Sequence, residues 1–263
     1  MKLKDRVAIV TGGSRGIGKG ICLGLAEEGA HVVLSCDRDM AGAEDVATQV
    51  RDLGRRAMAV KADVVNSQDV SAMVRQALDV FGRVDILVNN AGILAGSPME
   101  RLREEDWDRV MAVNVKGVFL CSQAVGRHMI ERGSGGSIVN LASIAGHVPE
   151  VNSGAYTPSK AAVLALTRQL AVEWARYGIR VNSLSPGPVM TSLQRAAYPT
   201  EQLLAARNRA VPMNRHATPE EMAKVVVFLA SDDAGFITGA DLVADGGSLV
   251  SMYYLVHQLA KQG

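Results

Sequence analysis

The chain has 263 residues, of which 48% are apolar, and its formal net charge is only +1, from 28 basic and 27 acidic residues. This length and this apolar content are enough to bury a full hydrophobic core. Because the charge is almost balanced, neither a nucleic acid nor an anionic membrane is an expected partner.

Cysteine usage and the first residues indicate a cytoplasmic protein. The three cysteines, Cys22, Cys36 and Cys121, are widely spaced and form no CxxC pair, which is typical of reduced thiols. The apolar run at 7–10 is too short for the core of a signal peptide, and no later run reaches the length of a membrane span. No group of His, Cys and Asp has metal-ligand spacing, so we predict no metal site.

Short β-branched runs alternate with longer segments of helical period along the chain. The runs are apolar on both faces, which is typical of strands in a parallel sheet covered on both sides. They lie at 6–10, 31–35, 57–61, 85–89, 137–141, 179–184 and 240–244. Between two of them, a Ser cap and an apolar stripe predict a helix at 67–80. We therefore predict a single α/β domain over 1–263, with a Rossmann-like doubly wound parallel sheet of about seven strands and helices on both faces.

Two segments fall outside this alternation. The first, at about 186–217, is rich in Pro, Thr, Ala and Arg and is predicted to be irregular. Because ligands of open α/β sheets bind beyond the carboxyl ends of the strands, it is a candidate lid over a site. The second is the tail at 248–263, whose Tyr, Leu and Val side chains would form an apolar patch if exposed. We predict that this tail packs on a neighbouring subunit.

A glycine-rich turn, TGGSRGIG at 11–18, follows the first predicted strand. Its glycines at Gly12, Gly16 and Gly18 have the spacing GxxxGxG, which differs from the GxGxxG dinucleotide fingerprint. Glycine still permits a tight turn and a close approach of the backbone to a pyrophosphate. The helix that follows offers free N–H groups to the phosphates. Such a turn is a weak signal alone, but its place between a strand and a helix favours a nucleotide site.

Three further motifs accompany this turn: NNAG at 89–92, Ser143 at the end of the fifth strand, and YTPSK at 156–160. In this order and spacing, the set resembles the short-chain dehydrogenase/reductase family, in its single-domain branch, over residues 4 to about 248. The resemblance implies an enzyme that transfers a hydride between a nicotinamide cofactor and an alcohol or ketone. It also implies a homotetramer that packs the long helices carrying Asn114 and Tyr156.

Tyr156 and Lys160 are four residues apart and so share one helix face, and Pro158, which lacks an N–H, suits the first helical turn. The resemblance implies that Tyr156 is the general acid and base. The nearby Lys160 ammonium and the oxidised nicotinamide are expected to lower its pKa from about 10. Ser143 is expected to hold the substrate oxygen. Lys160 would bind the nicotinamide ribose, and Asn114 would hold a water molecule of a proton relay.

The remaining cofactor contacts are also implied by the resemblance. Asp63 would meet the adenine amino group with Val64 beside the ring, and NNAG would line the groove beside the adenine ribose. The full predicted set is Gly12, Ser14, Arg15, Gly16, Ile17, Gly18, Asp37, Arg38, Asp63, Val64, Asn90, Ala91, Gly92, Tyr156, Lys160, Pro186, Gly187, Val189 and Thr191. Turn-forming Asn and Gly also end strands without binding anything.

The choice between NAD and NADP depends on the end of the second strand. An acidic side chain there pairs with the ribose 2′-hydroxyl, whereas an Arg accommodates a 2′-phosphate. The family's usual NAD-selecting position falls at Cys36, while Asp37 and Arg38 follow it. Asp37 favours NAD, and Arg38 and Arg15 would favour NADP if they turned inward. We predict NAD as the preferred cofactor.

The substrate wall is expected from 93–97, 144–153 and the lid. His147, Glu150 and Asn152, together with Ser143, are candidate readers of substrate hydroxyls, unless the first three only line a solvent-exposed mouth. The favoured function is an NAD-linked dehydrogenase of a secondary alcohol. Two alternatives remain: an NADPH-dependent 3-oxoacyl-[acyl-carrier-protein] reductase and, without catalysis, a dinucleotide-binding regulator.

Overall fold

A parallel sheet of seven strands forms the centre of the computed structural model, which describes residues 1–251 except the side chains of Leu193 and Ala197. The strands are β1 (Val7–Thr11), β2 (His31–Cys36), β3 (Ala57–Lys61), β4 (Ile86–Asn89), β5 (Gly136–Leu141), β6 (Ile179–Pro186) and β7 (Asp241–Ala244). Their order is β3-β2-β1-β4-β5-β6-β7, with every pair parallel. The predicted fold is confirmed. The strand order reverses between β1 and β4, which is where open α/β sheets bind ligands.

Helices cover both faces of this sheet. They are α1 (Gly16–Glu27), α2 (Met40–Asp52), α3 (Ser67–Phe81), α4 (Glu104–Met111), α5 (Gly117–Arg132), α6 (Tyr156–Trp174), α7 (Ser192–Ala197), α8 (Glu201–Arg209) and α9 (Pro219–Ala230). The predicted helix at 67–80 is α3. Within residues 1–251, no helix is both long and apolar enough to cross a membrane.

The alternation of side chains along each strand builds two hydrophobic cores. On β1, Ala8 and Val10 face a core shared with α1, α2 and α9, whereas Ile9 faces a core shared with α3, α5 and α6. The same division separates Val32 from Val33 on β2. Because both faces are covered, most strand residues are apolar, which is why the short Val- and Ile-rich runs located the strands correctly.

A chain of buried polar side chains crosses the sheet between α5 and α6. Asn89 of β4 donates from Nδ2 to Oγ of Ser122 at 2.9 Å and to Oδ1 of Asn140 on β5 at 2.8 Å. Asn140 in turn donates to Oγ1 of Thr167 on α6 at 2.9 Å. All four side chains are at most 2% exposed. Since buried polar groups need their partners, this chain fixes both helices against the central strands.

Helix α1 packs on α9 through two glycines. A Cβ built on Gly20 would lie 2.7 Å from Cβ of Pro219, and one built on Gly24 would lie 2.8 Å from Cβ of Ala223. Larger side chains would therefore push the helices apart. This contact joins the helix after the glycine turn to the helix after the lid.

The region at 186–217 was predicted to be irregular, and this prediction is wrong in part. The segment contains α7 and α8, capped by the side chains of Thr191 and Thr200, which accept hydrogen bonds from Gln194 N and Leu203 N. The start of the predicted tail forms a short 3₁₀ turn at Ser248–Val250. Residues 252–263 of that tail lie outside the described residues.

Candidate active site

The glycine turn after β1 is tight enough to exclude side chains. Gly12 and Gly16 have φ of +66° and +57°, in the left-handed region that favours glycine. A Cβ on Gly18 would lie 2.1 Å from the carbonyl oxygen of Gly12. Arg15 precedes α1 in extended conformation, and no side-chain cap occupies the first N–H groups of the described helix. These open N–H groups and the bare backbone fit the pyrophosphate of a dinucleotide.

The rest of the turn completes this cradle. Ser14 and Ile17 are partly exposed, and the side chain of Arg15 is exposed. Gly13, which the sequence analysis did not include, has no room for a side chain either, because a Cβ there would lie 2.7 Å from Cβ of Leu34. Its place beside Gly12 in the motif was the available signal.

Asn90 and Thr11 fasten this turn to the end of β4. Asn90 donates from Nδ2 to the carbonyl oxygens of Thr11 and Gly12, both at 2.9 Å. Thr11 Oγ1 accepts from the backbone N–H of Asn90 and of Ala91, both at 3.0 Å. The Asn90 amide was expected beside the adenine ribose, but both its N–H groups serve the turn. Thr11, which the sequence analysis treated only as part of the motif, is therefore a structural partner of the site.

The end of β2 presents an exposed ion pair. Arg38 Nε donates to Oδ2 of Asp37 at 3.1 Å, and the two side chains are 79% and 55% exposed. The preceding Cys36 is buried, with its Sγ 3.4 Å from Sδ of Met40. Asp37 is thus the first exposed side chain beyond this strand, and Arg38 is bound to it.

The end of β3 lies beside this pair in the sheet. Asp63 Oδ1 accepts from the N–H of Val65 at 3.1 Å, which leaves carboxylate lone pairs for a ligand. Val64 was expected beside the adenine ring. Its side chain packs against α5, where a Cβ on Gly117 would lie 2.7 Å from Val64 Cγ2.

Asn114 lies in a π-helical turn, Ala112–Lys116, between α4 and α5, rather than in a regular helix. Its Oδ1 accepts from the N–H of Ile93 at 2.8 Å, and its Nδ2 donates to the carbonyl oxygen of Ile93 at 2.9 Å and to Ser159 Oγ at 3.0 Å. Both amide N–H groups are therefore used within the protein. The expected water would have to bind at the remaining oxygen lone pair or at the backbone.

Tyr156 begins α6, and Lys160 lies one turn later, with its Nζ 5.5 Å from the centroid of the Tyr156 ring. Lys160 is only 6% exposed and donates to the carbonyl oxygen of Leu141 at the end of β5 at 2.7 Å. Ser143 follows β5, and its Oγ accepts from the N–H of Ala145 at 3.1 Å. The sequence-predicted catalytic side chains are thus brought together at the carboxyl ends of the strands.

Burial is the largest cause of the pKa shifts of Tyr156 and Lys160. It raises the pKa of Tyr156, while the hydrogen bond with Ser143 lowers it and the charge of Glu150 raises it. Burial also lowers the pKa of Lys160 to about 8. The Lys160 ammonium and a bound oxidised nicotinamide were together expected to lower the pKa of Tyr156. Within the protein alone the direction is opposite, because a site that excludes water disfavours both the phenolate and the ammonium.

His147 contacts the outer strands of the sheet. Its Nε2 lies 2.8 Å from Oδ2 of Asp241 on β7 and 3.3 Å from Oγ of Ser185 on β6. His147 was a candidate substrate reader, but its ring nitrogen is engaged with these strands. A single sequence cannot indicate this, because Asp241 is 94 residues away along the chain.

Glu150 and Asn152 lie in an exposed turn just before α6. The backbone N–H of Glu150 contacts Thr157 Oγ1 at 3.4 Å, and Asn152 has a φ of +61°. Both side chains remain available to a substrate or to solvent. Gly92 lies on the opposite side of the catalytic group, where a Cβ would be 3.4 Å from Asn114 Oδ1 and 3.7 Å from Lys160 Nζ.

The lid starts beside the cofactor groove. Pro186 ends β6, and Gly187 lies so close to Asp245 that a Cβ would be 2.6 Å from its Cα. Thr191 lies against the glycine turn, because a Cβ on Gly16 would be 3.4 Å from Thr191 Cγ2. The first residues of the lid therefore contact the site expected to hold phosphates.

The two ends of the lid meet at its base. Val189 is buried and forms an isolated parallel bridge with Ala217. The N–H of Ala217 donates to the carbonyl oxygen of Pro188 at 2.9 Å, and the N–H of Met190 donates to that of Ala217 at 2.8 Å. The lid is thus a loop closed at its base.

Known proteins are similar to this chain in sequence and in fold over almost their whole length. Residues 12–248 match the family model described as enoyl-(acyl carrier protein) reductase. The chain is 45% identical to cis-4-hydroxycyclohexanecarboxylate dehydrogenase of Sinomonas cyclohexanicum, covering 92% of this chain and 96% of that protein. It is 40% identical to an NAD-dependent glycerol dehydrogenase of Listeria innocua, covering 93% and 94% of the two chains.

Solved structures give the same result. A short-chain type dehydrogenase/reductase from Mycobacterium marinum superposes with a TM-score of 0.88 and 37% sequence identity, covering 94% of this chain and 96% of that chain. Levodione reductase superposes with a TM-score of 0.89 and 34% identity, covering 95% and 99%. Identities above 30% over almost the whole chain exceed what a shared fold alone would give.

The lowered pKa of Lys160 predicts a pH-dependent stability. The unfolded chain holds the Lys160 proton more tightly than the folded chain between pH 8 and 10.5. The free energy of unfolding therefore rises as pH rises through this window, and the gain is lost as pH falls through about 8. Relative to Lys160→Met, the unliganded protein should gain about 2 kcal/mol between pH 7.5 and 9.5, as measured by urea unfolding. Lys224→Met, at an exposed position on α9, is the control. Parallel curves for the protein and Lys160→Met would contradict the prediction.

Proposed function

The chain belongs to the short-chain dehydrogenase/reductase family, and we propose that it catalyses the NAD-dependent oxidation of a secondary alcohol, with ketone reduction as the reverse reaction. The observation that carries this proposal is the position of Tyr156 and Lys160 on one turn of α6, beside Ser143 and next to the glycine turn. A dinucleotide-binding regulator would not need this group. The relatives named above are dehydrogenases, which supports an enzyme.

Each side chain of this group has a role in the proposed reaction. The nicotinamide ring, when bound, supplies a hydride acceptor. Tyr156 takes the proton of the alcohol hydroxyl as general base and returns it in the reverse direction. Ser143 donates a hydrogen bond to the substrate oxygen. Lys160 lies close enough to the Tyr156 ring to stabilise the phenolate once the site is filled, and its ammonium can bind the ribose hydroxyls. Asn114 holds the Ile93 backbone and, through Ser159, the start of α6.

The proposed substrate is a small secondary alcohol, either a polyol or a cyclic alcohol, whose hydroxyl stands on a saturated carbon. The relatives are named for glycerol and for a hydroxycyclohexane acid, and another, from Mycolicibacterium smegmatis, for D-threitol. The exposed Glu150 and Asn152 can accept or donate hydrogen bonds to a second hydroxyl. Glycerol, erythritol and cyclohexanol are therefore suitable first probes.

NADPH-dependent reduction of a 3-oxoacyl thioester is the second candidate. The exposure of the Asp37–Arg38 pair favours it, because an exposed ion pair contributes at most about 1 kcal/mol and can open. Arg38 would then be free to bind a 2′-phosphate. With the pair closed, Asp37 repels that phosphate and supports NAD.

The proposed location and assembly rest on other observations. The three cysteines are unpaired and buried, which supports a reducing, cytoplasmic location. An apolar face on α4, α5 and α6 supports a homotetramer in which copies pack through these helices. The face is lined by Met111, Ala112, Val115, Lys116, Phe119 and Leu166.

Tyr156→Phe should abolish turnover while leaving cofactor binding intact. The variant keeps the ring but loses the hydroxyl that exchanges the proton, so kcat should fall by about 10³-fold or more. Oxidation of the probe alcohols with NAD and the Kd for NADH by fluorescence measure the two effects. Tyr177→Phe, beyond the other end of α6, is the matched control. Residual activity above a tenth of the parent would rule out this role for Tyr156.

Asp37→Ala and Arg38→Ala should shift the cofactor preference in opposite directions. Removing the carboxylate should improve NADPH binding relative to NADH by about tenfold, because like charges about 4 Å apart repel by 1–4 kcal/mol. Removing the guanidinium frees the carboxylate and should strengthen the preference for NADH. Fluorescence titrations with both cofactors measure the ratio. Tighter NADPH binding by the parent would move 3-oxoacyl reduction to first place.

Phe119→Glu should break the proposed tetramer. Phe119 is 41% exposed in the single chain, and a carboxylate there would lose its water in an apolar contact between copies. Light scattering should report a tetramer mass for the parent and a smaller assembly for the variant. Val80→Glu, on an exposed position of α3 away from this face, should leave the mass unchanged. A monomeric parent would overturn the assembly.

A further inference from the structure

His216 is a buried histidine in the lid that the proposed chemistry does not use. The residue is 6% exposed, and its Nδ1 lies 2.6 Å from Oδ1 of Asn208 on α8. Its ring lies 6.0 Å from the ring of Tyr198, centroid to centroid, at a tilt of 60°. Tyr198 directly follows α7. One side chain therefore contacts both helical parts of the lid.

The other contacts of the lid divide it into a firm base and a loosely held outer part. At the base, Arg215 donates to both carboxylate oxygens of Glu221 on α9, at 2.7 and 2.6 Å. Farther out, none of the nine described residues of α8 is buried. Hydrophobic packing therefore does little to hold α8. Glu201 at its start pairs with Arg195 of α7, and the Asn208–His216 hydrogen bond is the side-chain contact that joins α8 to the base.

The surroundings of His216 favour a neutral ring. With Asn208 Oδ1 as the acceptor, Nδ1 must carry the proton, and the buried Nε2 has no partner among the described residues. A second proton on Nε2 would be a buried donor without an acceptor. Arg207 on α8 also opposes that charge, while the neighbouring Arg215 is paired with Glu221. Burial and the charge of Arg207 accordingly lower the pKa of His216.

We propose that His216 is a positioning residue that holds α8 and the Tyr198 segment on the base of the lid, and that it thereby sets the affinity of the site for its alcohol. The effect on alcohol affinity rests on the proposed function. The placement of the lid rests on the contacts alone and can be measured without turnover. His216 directly precedes Ala217, which forms the bridge with Val189 at the base of the lid. This bridge lies beside the residues expected to flank the nicotinamide.

Three single variants separate the contacts of His216. His216→Phe keeps a ring against Tyr198 but loses the donor to Asn208. His216→Asn keeps a donor close to the position of Nδ1 but loses the ring. Asn208→Ala removes the acceptor and leaves His216 in place. The double variant with His216→Phe and Asn208→Ala tests whether the two residues act as a pair.

The experiment measures the lid in two ways in the presence of NADH or NAD. Limited trypsin digestion reports cleavage after Arg195, Arg207 and Arg209, all in the lid. His216→Phe and Asn208→Ala should each speed this cleavage about three- to tenfold, the range expected for loss of one hydrogen bond. The double variant should add little to either one. His216→Asn should retain part of the protection. The KM for cyclohexanol should rise by a similar factor with kcat within about twofold.

The positioning role of His216 and the proposed function are contradicted by different results. Cleavage within 1.5-fold of the parent (roughly the limit of the assay) in both His216→Phe and Asn208→Ala, or additive effects in the double variant, would overturn the proposed role of His216. If cleavage follows the expected pattern but no alcohol is oxidised by the parent, the proposed function fails and the positioning role stands. A fall in kcat at constant KM would also contradict it, because His216 would then act on the chemical step.

Discussion

The close approach of the glycine turn to the end of β4 is the constraint on which the site depends. A Cβ on Gly18 would lie 2.1 Å from the carbonyl oxygen of Gly12 and 2.5 Å from Asn90 Nδ2, so no side chain fits between the turn and the end of β4. The Asn90 amide and the Thr11 hydroxyl use this proximity to join the two segments with four hydrogen bonds. As a result, α1 begins at the point where the strand order reverses, and its open N–H groups face the crevice. Gly92, two residues beyond Asn90, is thereby brought beside Lys160.

Buried amides then place the helices that carry the catalytic groups. Asn89 and Asn140 tie α5 and α6 to the central strands, and Asn114 ties the π-helical turn to Ile93 and, through Ser159, to the first turn of α6. In an apolar interior each of these groups is costly unless it keeps its partner. The positions of Tyr156 and Lys160 are therefore fixed by hydrogen bonds in the core as well as by hydrophobic packing.

Much of the fold could be predicted because its signals are local. Strands buried on both faces are runs of Val and Ile, and α3 has a cap and an apolar stripe, so their bounds agree with the structure within two residues. The caps of α7 and α8, Thr191 and Thr200, were also local signals, and the Pro- and Arg-rich composition of the lid obscured them. Family motifs indicated the candidate catalytic residues that the structure brings together, since order and spacing are visible in the sequence.

Orientation could not be predicted in the same way. Asn90, His147 and Val64 all lie close to the site along the chain, yet their side chains serve the turn, the outer strands and α5. The burial that raises the pKa of Tyr156 in the protein alone was also not visible, because a spacing of four residues reveals the nearby ammonium but not the loss of water around it. His216 gave no signal at all, since a single histidine in a polar segment has no characteristic pattern.

The glycine contacts between α1 and α9 have a mechanical consequence. They press Pro219 and Ala223 directly onto the helix that starts at the phosphate cradle, and Thr218 and Glu221 cap α9 reciprocally just before this contact. The C-terminal end of the lid is thus packed closely against α1. We expect any opening of the lid to use backbone rotations between 187 and 217. Under the proposed function, substrate admission would then change through that one stretch, while the turn expected to hold the cofactor stays in place.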